Sequence, residues 1–102
     1  MSIIAPKFCQ VFVYRENMQD VPYLAQALSH VIENMRKERR ITKTALADFS
    51  RLERRYLREI ETGTKRPTVN AIYSICEALK IRPEEFFCVV EKYRQKLMQE
   101  NT

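Results

Sequence analysis

The sequence predicts an all-α protein built from five helices, with an N-terminal segment of a different character. Two observations lead to this prediction. The chain of 102 residues contains only one glycine and four prolines, so few positions break a helix. From about residue 22 onward, apolar residues recur at intervals of three and four, which places them along one face of an α-helix. A chain of this length can form one domain with one modest core.

The first helix is predicted between Tyr23 and Arg39. Its last turn, residues 36–40, is strongly basic, and positive charge is favourable at the C-terminal end of the helix dipole. The apolar positions expected to face the core are Leu24, Leu28, Val31, Ile32 and Met35.

Three shorter helices are expected next. Thr42 can cap a helix that runs to about Phe49, because its hydroxyl can accept a hydrogen bond from a free amide of the first turn. A third helix, residues 54–62, ends at Gly63, a residue common just after helix ends. Thr68 can cap a fourth helix. The apolar side of that helix consists of Val69, Ile72, Ile75, Cys76 and Leu79.

The fifth helix is predicted over residues 83–98 and begins at Pro83, a residue suited to the first turn of a helix. Its apolar stripe is longer than one small core can cover, and such a stripe usually packs against a neighbouring chain. We therefore expect a two-fold homodimer with this helix at its centre. The expected interface residues are Phe86, Phe87, Val90, Tyr93 and Leu97.

Residues 1–22 are predicted to form an N-terminal arm, separate from the helical domain of residues 23–98. Residues 8–15 are rich in β-branched and aromatic side chains, which predicts a β-strand. Because one strand alone is not stable in water, it would pair with its copy in a second subunit, lie along the helical body, or leave the arm disordered. An ordered strand or arm is the favoured interpretation.

Composition argues against several classes of protein. Three cysteines, Cys9, Cys76 and Cys88, are an odd number without a CxxC motif, which argues against a disulfide framework or a zinc site and fits a reducing cytoplasm. Since His30 is the only histidine and no nucleophile–base pair or phosphate-binding loop is recognisable, we expect no enzyme, cofactor or metal. No apolar run approaches the roughly 20 residues of a membrane span, and no secretory signal is recognisable. We therefore expect a cytoplasmic protein without a membrane partner.

The positive charge is concentrated in the central third of the chain. The net charge is +5, but residues 36–66 contain eleven basic and five acidic residues, a net +6, which leaves −1 for the rest. This distribution is expected for a polyanion-binding face on a neutral scaffold. A solvated, arginine-rich helix surface would give the same pattern, so charge alone does not decide between the two.

The second and third predicted helices are separated by only about four residues, Ser50 to Glu53. A connection this short brings two helices together at a steep angle and lets the second protrude from the body. A protruding helix can enter the major groove of DNA while the preceding helix crosses the phosphate backbone. The spacing therefore predicts a helix-turn-helix over about residues 42–63.

A longer pattern of apolar, small and capping residues runs through about residues 24–88 without gaps. Its members are Ile41, Thr42, Leu46, Ala47, Leu52, Tyr56, Leu57, Ile60, Glu61, Gly63, Pro67, Thr68, Ile72, Ile75, Cys76, Ala78, Leu79, Ile81, Phe86 and Phe87. In this pattern the chain resembles the Cro/repressor-type (XRE-like) helix-turn-helix family, and it is similar there to the small restriction–modification controller proteins. The resemblance implies a five-helix, lambda-repressor-like domain, usually a homodimer, that binds double-stranded DNA at an operator of two related half-sites.

The resemblance also implies which residues contact DNA. Arg54, Arg55 and Glu59 fall where the recognition helix of the family meets base edges. An arginine there can bind a guanine through two hydrogen bonds, and a glutamate can accept one from a cytosine amino group. Glu61 is expected to be structural, and Cys76 to be a buried core thiol. Phosphate contacts are expected from Thr42, Lys43, Thr44, Arg51, Tyr56, Arg58, Lys65, Arg66 and Thr68.

Three positions depart from the family pattern. The family usually has glycine at two helix-ending positions that are Arg40 and Arg51 here. A left-handed conformation costs a non-glycine residue on the order of 1 kcal/mol. Either these turns have another geometry in relaxed loops, or the arginines offset the cost as additional phosphate contacts. Glu53 replaces the usual short capping residue before the recognition helix and is expected to pair with a neighbouring arginine.

Two interpretations from different classes remain open. One is a DNA-binding transcriptional regulator that uses a recognition helix at about residues 54–62. The other is a protein-interaction module of the same fold, such as an antitoxin, whose main partner is a protein. The apolar fifth helix and the predicted N-terminal strand keep the second interpretation open.

Overall fold

The computed structural model describes residues 21–101, and this range contains five α-helices and no β-strand. The predicted all-α fold is therefore confirmed. The N-terminal arm and its expected strand at residues 8–15 lie outside the described residues. In chain order the helices are α1 (Leu24–Glu38), α2 (Lys43–Ser50), α3 (Arg54–Glu61), α4 (Val69–Leu79) and α5 (Pro83–Glu100).

Two threonine caps determine where α2 and α4 begin. Thr42 Oγ1 accepts a hydrogen bond from the Ala45 amide, and Thr68 Oγ1 accepts one from the Ala71 amide, each at 3.0 Å. Each bond satisfies one amide of a first helical turn, which has no partner within its own helix. Both caps agree with the sequence prediction.

The hydrophobic core is formed by one side of each helix. Helix α1 packs against α3 and α5, α2 packs against α3 and α4, and α4 also contacts α5. Because α3 contributes only its inner side to this core, its outer side faces solvent. The most completely buried large side chains are Phe86, Ile32, Leu46, Leu57, Ile60, Ile75, Leu79 and Val90.

Helix α5 contributes two of its residues to the core of its own chain, which corrects part of the expected dimer interface. Phe86 and Val90 are at most 1% exposed, so they cannot contact a second copy in this arrangement. Their spacing of four places both on the side of α5 that packs against the rest of the chain. Tyr93 stacks on His30 of α1, with ring centroids 4.1 Å apart. Among the expected interface residues, Phe87 is the most exposed.

Four connections begin with the same turn, in which one residue is left-handed. The φ angles are 57° at Arg40, 60° at Arg51, 80° at Gly63 and 59° at Lys80. At each turn, the amide of the next residue donates a hydrogen bond to a carbonyl five positions earlier, the pattern of a Schellman helix end. The four bonds are Ile41 to Arg36 (3.1 Å), Leu52 to Ala47 (2.9 Å), Thr64 to Glu59 (2.9 Å) and Ile81 to Cys76 (3.0 Å). The arginine turns thus keep the geometry that usually takes glycine.

Apolar contacts accompany three of these four turns. Ile41, Leu52 and Ile81 each follow the left-handed residue and pack, partly buried, against the core. A hydrophobic contact at this position is a regular part of the Schellman motif. Burial of these side chains offsets some of the strain of placing arginine or lysine in a left-handed conformation.

A buried ion pair joins α1 to the end of α3. Arg36 Nε lies 2.9 Å from Glu61 Oε2, and the two side chains are only 8% and 1% exposed. Arg36 Nη1 also donates to the carbonyl of Ile41 at 2.9 Å, and the Ser29 hydroxyl donates to the carbonyl of Glu61. Glu61 therefore has the structural role expected of it. Arg36, in contrast, belongs to the interior and not to the basic surface.

We predict that breaking this pair strongly destabilises the fold. Arg36→Met leaves the Glu61 carboxylate buried without a cation, which should lower the free energy of unfolding by about 3–5 kcal/mol. Adding Glu61→Leu removes the stranded charge, so the double variant should recover much of the loss. Urea unfolding followed by circular dichroism measures both effects.

Lys37→Met is the control for this experiment, since it removes an exposed pair with Glu33 at 3.2 Å. It should change the free energy of unfolding by less than about 1 kcal/mol. A double variant that is no more stable than Arg36→Met would contradict the prediction.

Candidate nucleic-acid interface

Helix α3 has two sharply different sides. Leu57, Ile60 and Glu61 are buried, whereas Arg54, Arg55 and Arg58 are exposed. With 3.6 residues per turn, this pattern fixes the apolar side of α3 to the core and places its arginines on the outside. The helix therefore presents three guanidinium groups to solvent.

A cleft of about 580 Å³ lies beside α3, and it brings together five of the predicted DNA contacts. One is Arg51, which ends α2; three belong to α3; the fifth is Lys65, from the loop before α4. Because α2, α3 and this loop converge there, residues from separate elements share one surface. The cleft is lined by Arg51, Leu52, Glu53, Arg55, Tyr56, Glu59 and Lys65.

Acidic side chains pair with both candidate base-reading arginines. Arg55 Nε donates to Glu59 Oε2 at 3.3 Å, and Arg54 Nη2 lies 3.8 Å from Asp48 Oδ2 on α2. The second pair was not predicted from the sequence, because its members are six positions apart and belong to different helices. Glu59 was predicted as a base contact, but its carboxylate already has cationic neighbours. The second neighbour is Lys65, whose Nζ lies 3.7 Å from Glu59 Oε1.

Tyr56 links α3 to the start of α4. Its hydroxyl oxygen accepts a hydrogen bond from the Thr68 amide at 3.1 Å. The Thr68 amide was expected to bind phosphate, and here it already has a partner. The Tyr56 hydroxyl keeps its own hydrogen, however, and remains able to donate. The same is true of the Thr42 and Thr68 hydroxyls, which accept bonds as helix caps.

The remaining predicted phosphate contacts lie on the surface. Lys43 and Thr44 occupy the first turn of α2, where free amides and the helix dipole favour an anion. Arg66 is exposed in the loop between α3 and α4, as is Lys65. All of these side chains are therefore accessible.

One expectation about charge is wrong, and one basic residue of the central segment has a structural role. Glu53 caps α3 without a side-chain hydrogen bond, and within residues 21–101 it makes no ion pair, so its expected pairing with an arginine is wrong. Arg39 Nε donates to the carbonyl of Leu79 at 2.6 Å and thereby caps the end of α4. The buried pair of Arg36 and Glu61 removes one charge of each sign, so the central excess of six positive charges is unchanged.

Two further features bear on chemistry other than DNA binding: the thiol of Cys76 and the placement of possible metal ligands. Cys76 is fully buried, and burial raises the pKa of its thiol to about 11, which keeps it protonated at neutral pH. Within the described range, no group of three His, Cys, Asp or Glu side chains is placed to hold a metal ion. None of the helices described is long and apolar enough to cross a membrane.

The family described as Helix-turn-helix matches residues 32–86, which is more than half of the chain. The chain belongs to the XRE-type helix-turn-helix family. The matched range begins within α1 and extends to the first turn of α5, so it contains the whole cleft beside α3. The resemblance inferred from the sequence is confirmed.

Solved structures of similar fold include two kinds of regulator. The clp gene regulator ClgR from Corynebacterium glutamicum is 27% identical, covers 78% of this chain and 86% of its own, and has a TM-score of 0.71. The wild-type restriction–modification controller protein C.Esp1396I is 30% identical over 69% of this chain and 90% of its own, with a TM-score of 0.65. The same controller protein has been solved as a tetramer in complex with its natural 35 base-pair operator, and that structure also gives a TM-score of 0.65. No curated protein sequence matches this chain.

Proposed function

We propose that this protein is a sequence-specific, DNA-binding transcriptional regulator that acts as a homodimer on an operator of two half-sites. The observation that carries the proposal is the outer side of α3, where Arg54, Arg55 and Arg58 face solvent beside the cleft. Membership of the helix-turn-helix family and similarity to a controller protein solved on its operator support it. The proposal assigns the chain no enzymatic activity and no cofactor.

The two arginines at the start of α3 are the proposed base readers. The N-terminal residues of a recognition helix reach deepest into the major groove, and Arg54 and Arg55 are the first two residues of α3. A guanidinium matches the two acceptors that guanine presents there. Arg58 lies one turn further along the helix, where contact with a phosphate is the proposed role.

The first turns of α2 and α4 and the loop between α3 and α4 are the proposed backbone clamp. Lys43 supplies charge at the start of α2, and Lys65 and Arg66 supply it before α4. The hydroxyls of Thr42, Thr44, Tyr56 and Thr68 add neutral donors. Contacts of this kind set the register on the duplex and make the affinity depend steeply on salt.

We predict that the protein selects a symmetric site from random DNA and that Arg54→Ala/Arg55→Ala abolishes this selection. Each bidentate arginine–guanine contact contributes about 1–3 kcal/mol of discrimination, so affinity for the selected site should fall at least roughly tenfold. Sequencing of bound DNA and fluorescence anisotropy measure the two effects.

Lys92→Ala/Lys96→Ala is the matched control, because it removes two exposed positive charges from α5 instead of α3. It should retain the selected sequence. If the wild type enriches no symmetric site, or the arginine variant enriches the same site equally well, the recognition-helix assignment fails.

Arg51 is proposed to contact a phosphate. This role would explain why an arginine occupies a left-handed turn that usually takes glycine. We predict that Arg51→Gly raises stability but weakens DNA binding. Relief of about 1–2 kcal/mol of strain, less about 0.4–1 kcal/mol of added unfolded-state entropy, leaves a gain of roughly 0.8 kcal/mol at the middle of both ranges. The slope of log affinity against log salt should become shallower by about 0.9 for each phosphate that the variant no longer neutralises.

Lys80→Gly provides the control, since Lys80 has the same left-handed backbone at the end of α4. It should give a similar gain in urea unfolding and leave DNA affinity unchanged. Equal DNA affinity in Arg51→Gly and the wild type would contradict a phosphate contact at Arg51.

The homodimer is proposed to form through the exposed apolar residues of α5. With Phe86 and Val90 in the core, the most exposed apolar residues left on this helix are Phe87 and Val89, each about 40% exposed. Leu97 and Met98 are partly exposed. Phe87 and Val89 are two residues apart, which turns them about 200° from each other around the helix. Only one of them can therefore lie in an interface that is formed by one side of α5.

We predict that one of the variants Phe87→Asp and Val89→Asp is monomeric, because a carboxylate buried in an apolar interface is costly. The other should remain dimeric and serve as its control. Sedimentation velocity at micromolar concentration measures the state of each. A monomeric wild type, or a dimer that persists in both variants, would contradict the proposed interface.

A groove between α2 and α4 favours a second candidate function, a protein-interaction module. The groove has a volume of about 510 Å³, and Phe49 at its edge is 63% exposed. Ile41, Ala78 and Leu79 supply its apolar lining. Absence of any selected DNA sequence, in the selection described above, would favour this function over the first.

A further inference from the structure

The carboxylate of Glu59 lies between two cations of the proposed DNA surface. Its Oε2 accepts from Arg55 Nε at 3.3 Å, and its Oε1 lies 3.7 Å from Lys65 Nζ. We propose that Glu59 is a positioning residue, which directs Arg55 towards its base and holds Lys65 beside the recognition helix, and that it does not contact a base. The inference rests on the proposed function and concerns how specificity is produced at the same surface.

Glu59 is a rigid support for this role because its backbone anchors the turn after α3. Its carbonyl oxygen accepts hydrogen bonds from the amides of Thr64 (2.9 Å) and Lys65 (3.2 Å). The hydroxyls of Thr62 (3.1 Å) and Thr64 (3.2 Å) donate to the same oxygen. The side chain of Glu59 is 29% exposed, against 79% for Arg55. Glu59 is therefore the more buried member of the pair, and its backbone is firmly anchored.

The geometry of the pair leaves the reading groups of Arg55 available. Glu59 engages Nε, while no contact of Arg55 in the described structure uses Nη1 or Nη2. Those two nitrogens carry the parallel N–H groups that can reach the O6 and N7 acceptors of guanine. An arginine with four rotatable side-chain bonds loses considerable entropy when it is fixed on a base. An ion pair formed before binding removes part of that loss.

Direct base contact by Glu59 fits the structure less well. Each carboxylate oxygen already has a cationic neighbour, and contact with a cytosine amino group would compete with these interactions. A carboxylate released from both cations would also face the phosphates with its full negative charge. The pairing with Arg55 and Lys65 neutralises it at the surface.

Positioning and simple electrostatics predict different results for Glu59→Gln: the first affects discrimination at one base pair, and the second affects affinity for every sequence. Removing a negative charge from a DNA-binding face strengthens binding to every sequence if charge is all that matters. Loss of positioning instead weakens discrimination at one base pair, the one that Arg55 reads. Glu53→Gln is the matched control, because it removes the same charge from the same cleft. Among residues 21–101, Glu53 has no ion-pair partner that the substitution would disturb.

The experiment measures affinities for the selected site and for all single-base-pair changes of it, with the full chain and each variant. In Glu59→Gln we expect discrimination at the base pair assigned by Arg55→Ala to fall roughly three- to tenfold, a fraction of a bidentate contact. Discrimination at other positions and in Glu53→Gln should stay as in the wild type. In the Arg55→Ala background, Glu59→Gln should have no further effect on discrimination.

Two other results overturn the inference and identify what replaces it. A loss at a base pair different from that of Arg55, persisting in Arg55→Ala, means that Glu59 contacts a base itself. A uniform gain in affinity equal to that of Glu53→Gln means that Glu59 acts only through its charge. A wild type that selects no sequence overturns the proposed function together with the inference, whereas the first two results leave the proposed function intact.

Discussion

The ion pair between Arg36 and Glu61 holds α3 to the rest of the domain. Helix α3 has only eight residues, and helices this short are marginal without tertiary contacts. Its orientation therefore depends on the few groups that fasten its inner side: Leu57, Ile60 and the Glu61 carboxylate. The pair attaches the last residue of α3 to α1, which itself packs along α5. Because a charged pair tolerates less displacement than an apolar contact, it also fixes the rotation of α3 about its axis. Arg54 and Arg55 are thereby held outward.

The turns between the helices adopt left-handed conformations almost without glycine. Three of its left-handed positions are Arg40, Arg51 and Lys80, and only the turn after α3 has glycine. In each basic turn an apolar neighbour packs against the core, and the Schellman hydrogen bond is made. The strain is therefore distributed over turns that are each held by local contacts, while a cationic side chain is placed at the surface of each turn.

Periodicity and capping could be predicted from the sequence because both are local. Thr42 and Thr68 cap α2 and α4 through residues three positions away, and the apolar intervals locate every helix. The burial of Arg36 was missed, although a signal existed: it lies four residues after Ile32 and so shares the apolar side of α1. For Phe86 and Val90 the pattern correctly predicted burial but not against what, since an apolar stripe looks the same whether it meets its own core or a second chain.

The ion pairs that Arg54 and Arg55 make on the outer side of α3 were not predicted. The pair of Arg55 and Glu59 follows a helical spacing of four and could have been anticipated. The contact between Arg54 and Asp48 could not, because it depends on how α2 and α3 meet across three residues. The number of charges along a chain determines the electrostatic field of a domain at a distance. Ion pairing determines which of those charges are available to a molecule that contacts the surface.

The two acidic partners of Arg54 and Arg55 have a consequence for how the proposed regulator would find its site. Each arginine that is already paired gains less from an arbitrary stretch of duplex, where it has only phosphates to contact, than an unpaired arginine would gain. Weak binding to arbitrary sequence shortens the time spent at each wrong position, and a genome contains very many wrong positions. Asp48 and Glu59 would therefore lower occupancy everywhere except where bases bind the N–H groups that the ion pairs leave free. In the proposed regulator, the carboxylates opposite Arg54 and Arg55 would influence the speed of the search as well as the quality of the final match.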